Sequence, residues 1–270
     1  DHGYHWEDLQ LVSSLEGHAL NNPELVQDEN TGRIFCMFQS YPDGKTETSV
    51  EPGIEGDNIC KGYVIYSDND GETWSQMEEI TQYIKRPEYV TSIASGPGIG
   101  IQLKKGEHSG RLIFPFNQGP WGDWKVYTVF SDDGGNQWQY GETALDGSSG
   151  HGNEVQMIEL ENGNVLLNCR GIGGNKYRKK SISIDGGITW SPLEIDSNLI
   201  EPECQASIFR LSYNQDSQKN RVLFSNPYSM NSRANGTVLL SYDEGGSWAY
   251  RKTVQENFFA YSCLTLTQDN

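Results

Sequence analysis

Apolar residues in this chain occur in short runs separated by polar turns that contain glycine. Runs such as 33–38, 111–116, 165–169 and 221–224 are almost continuously apolar, which is typical of strands buried on both faces. A shorter, more polar run and a second turn follow each of them. No stretch has a helical period long enough to compete with this pattern. The pattern therefore predicts an all-β protein built from many short strands.

One phrase, Ser-x-Asp-x-Gly-x-x-Trp, recurs in the second type of turn. Full copies span 131–138, 183–190 and 241–248, and a variant with Asn69 in the Asp position spans 67–74. Asp and Gly favour a tight turn, and the Trp supplies a large apolar anchor. The copies recur every 50–70 residues or so, a period that fits one four-stranded blade of a β-propeller.

Counting these units gives four blades. They cover roughly 14–80, 88–143, 151–196 and 203–254, each built as a four-stranded sheet. Residues 6–13 are interpreted as the last strand of a preceding blade, and 261–266 as the first strand of a following one. The chain also opens on a partial copy of the phrase, from Asp1 to Trp6. The fold prediction is a single domain over 1–270: a six-bladed β-propeller with four complete blades and partial terminal blades, expected to be an internal piece of a longer protein.

Composition narrows the possible partners. The 270 residues include 20 Lys and Arg against 37 Asp and Glu, a formal net charge of −17. This balance argues against nucleic acid and against anionic membrane surfaces as partners. No apolar run approaches the roughly 20 residues of a membrane span.

The five cysteines are odd in number, and none forms a CxxC pair. We therefore predict no metal site of this kind and no cofactor. Four of them, Cys36, Cys169, Cys204 and Cys263, lie in apolar strand contexts and are expected to be buried free thiols. One disulfide is also possible, and the sequence alone does not show which cysteines would pair.

Two candidate catalytic residues begin predicted first strands, which in a propeller approach the central axis. Glu154 begins one such strand and Tyr261 another. A free phenol has a pKa of about 10, so it needs a neighbouring carboxylate to accept its proton before it can act as a nucleophile. The alternatives are an ordinary polar residue at a strand entry for Glu154 and simple packing for Tyr261.

Two arginines end the second strands of adjacent blades. Arg170 precedes a glycine-rich loop, and Arg233 occupies the analogous place one blade later. Converging guanidinium groups suit a planar anion such as a carboxylate. The alternatives are a structural ion pair for Arg170 and a solvated loop residue for Arg233. The loop that carries Trp121 and Trp124 could offer stacking surfaces or could simply be held by its own aromatic rings.

Taken in order, these segments resemble bacterial-type sialidases (neuraminidases). The repeated phrase matches the Asp boxes of that family. The other matching segments are Ser95-Gly96-Pro97-Gly98, Asn153-Glu154 with Arg170, Glu201-Pro202-Glu203-Cys204-Gln205, Phe224-Ser225-Asn226-Pro227 with Arg233, and Ala260-Tyr261-Ser262.

The resemblance implies retaining hydrolysis of terminal α-sialosides on sialylated glycans. Sialidases use a tyrosine nucleophile where most glycosidases use a carboxylate. The resemblance assigns the role of nucleophile to Tyr261 and that of its activating base to Glu154. It implies that Arg170 and Arg233 hold the carboxylate of the sugar. Sialosides occur outside cells and in lysosomes, so the resemblance also implies an extracellular, periplasmic or lysosome-like location for the protein. The family's first carboxylate-binding Arg and its acid/base Asp would precede Asp1, so little turnover is expected from this chain alone.

Two other functions remain open at this stage. A trans-sialidase would need the same residues together with an acceptor site. A propeller without catalysis, either a sialoglycan lectin or a protein scaffold, would share the Asp boxes, because those only build blades. The ordered set of Glu154, Arg170, Arg233 and Tyr261 favours an enzyme.

Overall fold

The computed structural model describes residues 5–147, 150–214 and 219–267, which form four β-sheets and one short helix. The first sheet contains β1 (His18–Gln27), β2 (Ile34–Pro42), β3 (Lys61–Ser67) and β4 (Glu78–Glu79), and β6 (Gly98–Ile99) pairs with β1 in parallel. The second contains β5 (Ile93–Ser95), β7 (Ile101–Gln102), β8 (Leu112–Gln118), β9 (Lys125–Ser131) and β10 (Gln139–Tyr140).

The last two sheets are regular four-stranded meanders. The third contains β11 (Gly152–Glu159), β12 (Val165–Gly171), β13 (Tyr177–Ser183) and β14 (Glu194–Ile200). The fourth contains β15 (Ser207–Ser212), β16 (Arg221–Pro227), β17 (Ala234–Ser241) and β18 (Tyr250–Phe258). These sheets confirm the four predicted blades and the partial propeller.

The hydrophobic core lies between the sheets, because the inner strands are buried on both faces. On β8, Phe114 packs towards the first sheet while the adjacent Ile113 packs towards the third. On β12, Leu167 faces the second sheet and Leu166 the fourth. Alternate side chains of a strand point to opposite faces, so a continuously apolar strand ties each sheet to both of its neighbours.

The Asp boxes are the turns that leave the third strand of each sheet. In the copy after β9, Ser131 Oγ donates to Asp133 Oδ1 at 2.8 Å and accepts from Gly135 N at 2.9 Å. Trp138 packs at 5.5 Å between the rings of Phe35 and Phe114. These turns therefore lie at the opposite end of the sheets from the first-strand starts. Residues 1–4 of the opening copy lie outside the described residues.

Two predicted strands do not form. Residues 6–13 make no strand, and the side chains of Gln10 and Ser13 donate hydrogen bonds to Glu72 O and Met77 Sδ in the connection between β3 and β4. Residues 261–266 also make no strand, since their backbone bonds to the side chains of Gln205 and Ser207 at the start of the fourth sheet rather than to a strand. A strand requires a hydrogen-bonded backbone neighbour, and no described strand is paired with either segment.

Three further differences concern loops and cysteines. The polar stretch 42–61, whose composition is typical of an exposed loop, buries Val50, Ile59 and Cys60. The helix α1 (Thr81–Ile84), which the hydrophobic pattern did not show, is one turn long. All five cysteines are free, and Cys263 is exposed rather than buried as predicted because its segment lies outside the sheets. Within the described ranges, no helix is both long and apolar enough to cross a membrane.

Candidate active site

A pocket of about 370 Å³ opens where first strands begin and second strands end. Five of the six predicted site residues line it: Trp121, Trp124, Glu154, Arg170 and Tyr261. The remaining lining residues are Asn21, Asn22, Gln39, Tyr41, Glu47, Ala94, Asn117, Asn153 and Ile172. The pocket therefore draws on the first three sheets and on the segment after β18.

Glu154 and Tyr261 are in direct contact at this pocket. The Tyr261 hydroxyl donates a hydrogen bond to Glu154 Oε1. The register of β11 against β12 shifts between Asn153 and Val155, so Glu154 is the extra residue of a bulge. Bulges re-aim side chains, and this one leaves the buried Glu154 carboxylate lining the pocket. The pair can transfer a proton from phenol to carboxylate.

Arg170 contacts the same carboxylate from the end of β12. Its Nη1 lies 3.0 Å from Glu154 Oε2. Its Nε is buried and has no hydrogen-bond partner within the described ranges. A guanidinium has five N–H donors, so this ion pair leaves Arg170 able to bind an anion in the pocket as well.

Arg233 lies beside Tyr261 without lining the pocket. The centre of its guanidinium is 5.6 Å from the centroid of the Tyr261 ring, within cation–π range. Its carbonyl oxygen accepts a hydrogen bond from Phe259 N at 3.0 Å. The structure thus brings both predicted arginines to the Tyr261–Glu154 pair, one on each partner.

A buried ion pair between Arg178 and Glu201 lies next to the end of β12, which carries Arg170. Arg178 Nη1 lies 2.8 Å from Glu201 Oε2, and both side chains are almost fully buried. Burial raises the pKa of Glu201 and outweighs the opposing effect of Arg178. The other carboxylate oxygen accepts from Gly171 N at 2.5 Å, next to Arg170. Arg178 also donates to the Cys204 carbonyl at 2.7 Å, so the pair joins the end of β12 to the chain entering β15.

Trp124 and Glu47 form another part of the pocket wall. The indole Nε1 of Trp124 donates to Glu47 Oε1 at 2.6 Å. Trp121 packs edge-on against Trp124 at 4.9 Å, but 60% of Trp121 is exposed. Sequence reasoning missed Glu47, because it sits in a polar loop 77 residues away from its partner with no local signal of its role.

One group near the pocket has the composition of a cation site. Potential ligand atoms of Asp123, Asp146 and His151 lie within 4.8 Å of one another. The ammonium of Lys125 already contacts both carboxylates, at 2.7 Å to Asp123 Oδ1. Its hydrogen bond is the largest influence that lowers the pKa of Asp123. The lysine ammonium therefore already supplies a positive charge to these two carboxylates.

A family model, the BNR repeat-like domain, matches residues 1–270. The chain belongs to the BNR repeat-like family. This BNR domain is 33% identical over 279 residues to a sialidase of Micromonospora viridifaciens, covering 100% of the chain and 42% of the relative. It is also 29% identical over 217 residues to an anhydrosialidase of Macrobdella decora, covering 76% of the chain and 28% of the relative.

Solved structures agree with these relatives. The Hadza microbial sialidase Hz136 matches the BNR domain with a TM-score of 0.89 and 28% identity, covering 98% of this chain and 53% of the other. The chain thus spans about half or less of the length of each of these three proteins. The predicted kinship with sialidases and the predicted sialidase-type propeller are confirmed.

Proposed function

We propose that this BNR domain, acting as one propeller unit over 1–270, belongs to an exo-α-sialidase that removes terminal α-linked sialic acid from glycans with retention. The observation that carries the proposal is the hydrogen bond between Tyr261 and Glu154, with Arg170 on the same carboxylate. A scaffold or lectin has no need for a phenol, a base and a guanidinium converging in one pocket. The kinship with sialidases supports the same reaction class.

Tyr261 is the proposed nucleophile and Glu154 its base. As the phenol oxygen bonds to the anomeric carbon, its proton passes to Glu154 Oε1, which already accepts it as a hydrogen bond. The bond to the leaving oxygen breaks, and water later releases the sugar from the tyrosine. A neutral nucleophile also avoids the repulsion that a carboxylate would meet beside the sugar's own carboxylate.

Arg170 and Arg233 are the proposed partners of that sugar carboxylate. The unpaired N–H donors of Arg170 and the guanidinium of Arg233 lie on two sides of the nucleophilic pair. Charge-assisted bonds from guanidinium to carboxylate are short and directional. In a protein of net charge −17, such a local cationic site favours one small anion over anions in general. The same overall charge supports the prediction of no nucleic acid partner.

Trp124, Trp121 and Glu47 are proposed to contact the acyl and glycerol arms of the sugar. Trp124 is held by Glu47 with its ring against the pocket, and Trp121 lies at the exposed rim. An indole face suits the apolar acyl group, and a carboxylate suits the hydroxyl donors of the glycerol arm.

Transfer is the second candidate, and the anhydrosialidase among the relatives favours it. Hydrolysis and transfer share the tyrosine step and differ in what attacks next. Product analysis decides: free sialic acid supports hydrolysis, an anhydro sugar supports internal transfer, and a sialylated lactose supports transfer to an added acceptor.

A fluorogenic α-sialoside tests the proposal. We expect turnover from the intact protein. We expect little from residues 1–270 alone, because the resemblance assigns the acid and one arginine to other segments. An intact, folded protein that releases no fluorophore would overturn the proposal, and full activity of the 270-residue chain would overturn the assignment of the acid.

A further inference from the structure

Gln205 pairs with the backbone that carries Tyr261. Its Oε1 accepts from Ser262 N at 2.9 Å, and its Nε2 donates to Ser262 O at 2.9 Å. These are the two bonds that one residue of an antiparallel strand makes with its partner. A side-chain amide thus replaces the strand neighbour that residues 261–266 lack among the described residues.

The same amide reaches a third segment. Nε2 of Gln205 also donates to Pro97 O at 2.8 Å. Pro97 precedes β6, and Gln205 itself enters β15. The side chain is only 2% exposed, so water does not replace these bonds if they are lost. One glutamine therefore joins the connection between β5 and β6, the start of the fourth sheet and the nucleophile segment.

Two serines complete the attachment. Ser262 Oγ donates to Ser225 O at 3.1 Å, and Leu264 N donates to Ser207 Oγ at 3.0 Å. All these bonds fix residues 262–264 and leave the Tyr261 ring free to face Glu154. Gln205 is also anchored, because the preceding carbonyl of Cys204 accepts from the buried Arg178.

We propose that Gln205 is a positioning residue for the nucleophile, acting only through Ser262 to hold the Tyr261 oxygen against Glu154. This inference rests on the proposed function. Rate depends steeply on such placement, since an error of about 1 Å in a reacting group can cost on the order of 100-fold. Gln205 contacts no substrate in this account, so its loss should reduce kcat and leave KM nearly unchanged.

The chain offers a matched control. Gln102 also accepts one bond and donates two: it accepts from Glu29 N at 2.8 Å and donates to Asp28 Oδ1 at 2.8 Å and Gly110 O at 3.1 Å. It joins the first two sheets and does not line the pocket. Gln102→Met and Gln205→Met thus each remove three hydrogen bonds of a side-chain amide, and only those of Gln205 reach the segment that carries Tyr261.

The experiment compares both variants in the intact protein. We expect Gln205→Met to lower kcat about 10- to 100-fold with KM within about twofold, and Gln102→Met to leave kcat within about twofold. In a Tyr261→Phe background, Gln205→Met should reduce the residual rate no further, because groups acting as a unit are not additive. Gln205→Asn keeps a neutral amide but shortens the side chain by one methylene, which draws the amide back from Ser262, so it should also lower kcat. It serves as the second variant if Gln205→Met fails to fold.

Hydrogen exchange provides a readout that does not need turnover. The amides of Ser262 and Leu264 should lose protection in Gln205→Met and keep it in Gln102→Met. Equal kcat values for the two variants, or unchanged protection of Ser262, would overturn the inference. An inactive wild-type protein would instead overturn the proposed function, while exchange would still test whether Gln205 holds the segment.

Discussion

Tyr261 donates a hydrogen bond to Glu154 across 107 residues of sequence, from the segment after β18 to the first strand of the third sheet. The contact needs the bulge that turns Glu154 into the pocket and the bonds that hold Ser262 in place. This hydrogen bond brings together the two candidate catalytic side chains from separate parts of the fold.

Replacing Glu154, the proposed base, should slow the chemical step. Glu154→Gln keeps the shape but cannot accept the phenol proton, so we expect kcat to fall about 10²- to 10⁴-fold with a small change in KM. Steady-state kinetics on a fluorogenic sialoside measure this. Tyr250→Phe, on the exposed strand β18, removes a phenol elsewhere and should change neither constant. An active Glu154→Gln protein would show that the base lies elsewhere.

Breaking the Arg178–Glu201 pair should lower the free energy of unfolding, because the pair links the third sheet to the chain entering the fourth. Arg178→Met leaves a buried carboxylate without its cation, which costs about 3–5 kcal/mol of unfolding free energy. Lys61→Met breaks the more exposed pair with Glu79 and should cost about 0–1 kcal/mol. Denaturant unfolding measures both. Equal losses would mean that the buried pair contributes no more than a surface pair.

Glu24 should make the domain less stable as pH rises. Its side chain is fully buried, and burial raises its pKa well above 4.5 despite the hydrogen bond from Gln156. The folded state then keeps a proton that the unfolded state releases, so stability falls as pH climbs from about 4.5 towards the folded pKa. Below 4.5 both states hold the proton and the slope vanishes.

Glu24→Gln should remove this pH dependence. The neutral amide keeps the shape, so the melting temperature should rise above that of the wild type near pH 7 and match it near pH 4. Each kcal/mol of unfolding free energy corresponds to a shift of about 2–4 °C in the melting temperature for a domain of this size. Thermal melts across pH measure the effect, with the exposed Glu72→Gln as control. Parallel curves for wild type and Glu24→Gln would contradict the expectation.

Trp124 should act on substrate binding more than on chemistry. Trp124→Phe keeps an aromatic ring and removes the bond to Glu47. Without that bond the ring is held less firmly against the pocket, and we expect KM to rise on the order of 2- to 10-fold, which corresponds to about 0.5–1.5 kcal/mol of binding free energy. Kinetics on the same sialoside measure it, and Trp121→Phe, at the exposed rim, should have the smaller effect. A loss confined to kcat would mean that Trp124 supports the reacting groups instead.

Local chemistry explains what could be predicted from the sequence. Asp-box turns depend on residues within eight positions of one another, such as Ser131 to Trp138, so they number the blades directly. Continuous apolar runs such as 165–169 identify the buried inner strands. Glu154 and Tyr261 could be located because each begins a predicted first strand and matches a family segment.

Long-range contacts explain what could not. Residues 261–266 are predicted to form a strand. A strand also needs a hydrogen-bonded backbone neighbour, and the side chain of Gln205 takes that place instead. The exposure of Cys263 follows from the same cause. Glu47 lies in a loop that reads as solvent-exposed, and only its bond to Trp124 brings it to the pocket.

Trapping the covalent intermediate tests the central claim most directly. A fluorinated sialosyl fluoride reacts through the same first step, and its ring fluorine slows the release by water. After incubation with the intact protein and proteolysis, mass spectrometry should find the sugar on the peptide containing Tyr261, and Tyr261→Phe should abolish the label. Label on Glu154 or any other residue, or turnover that persists unchanged in Tyr261→Phe, would contradict the account.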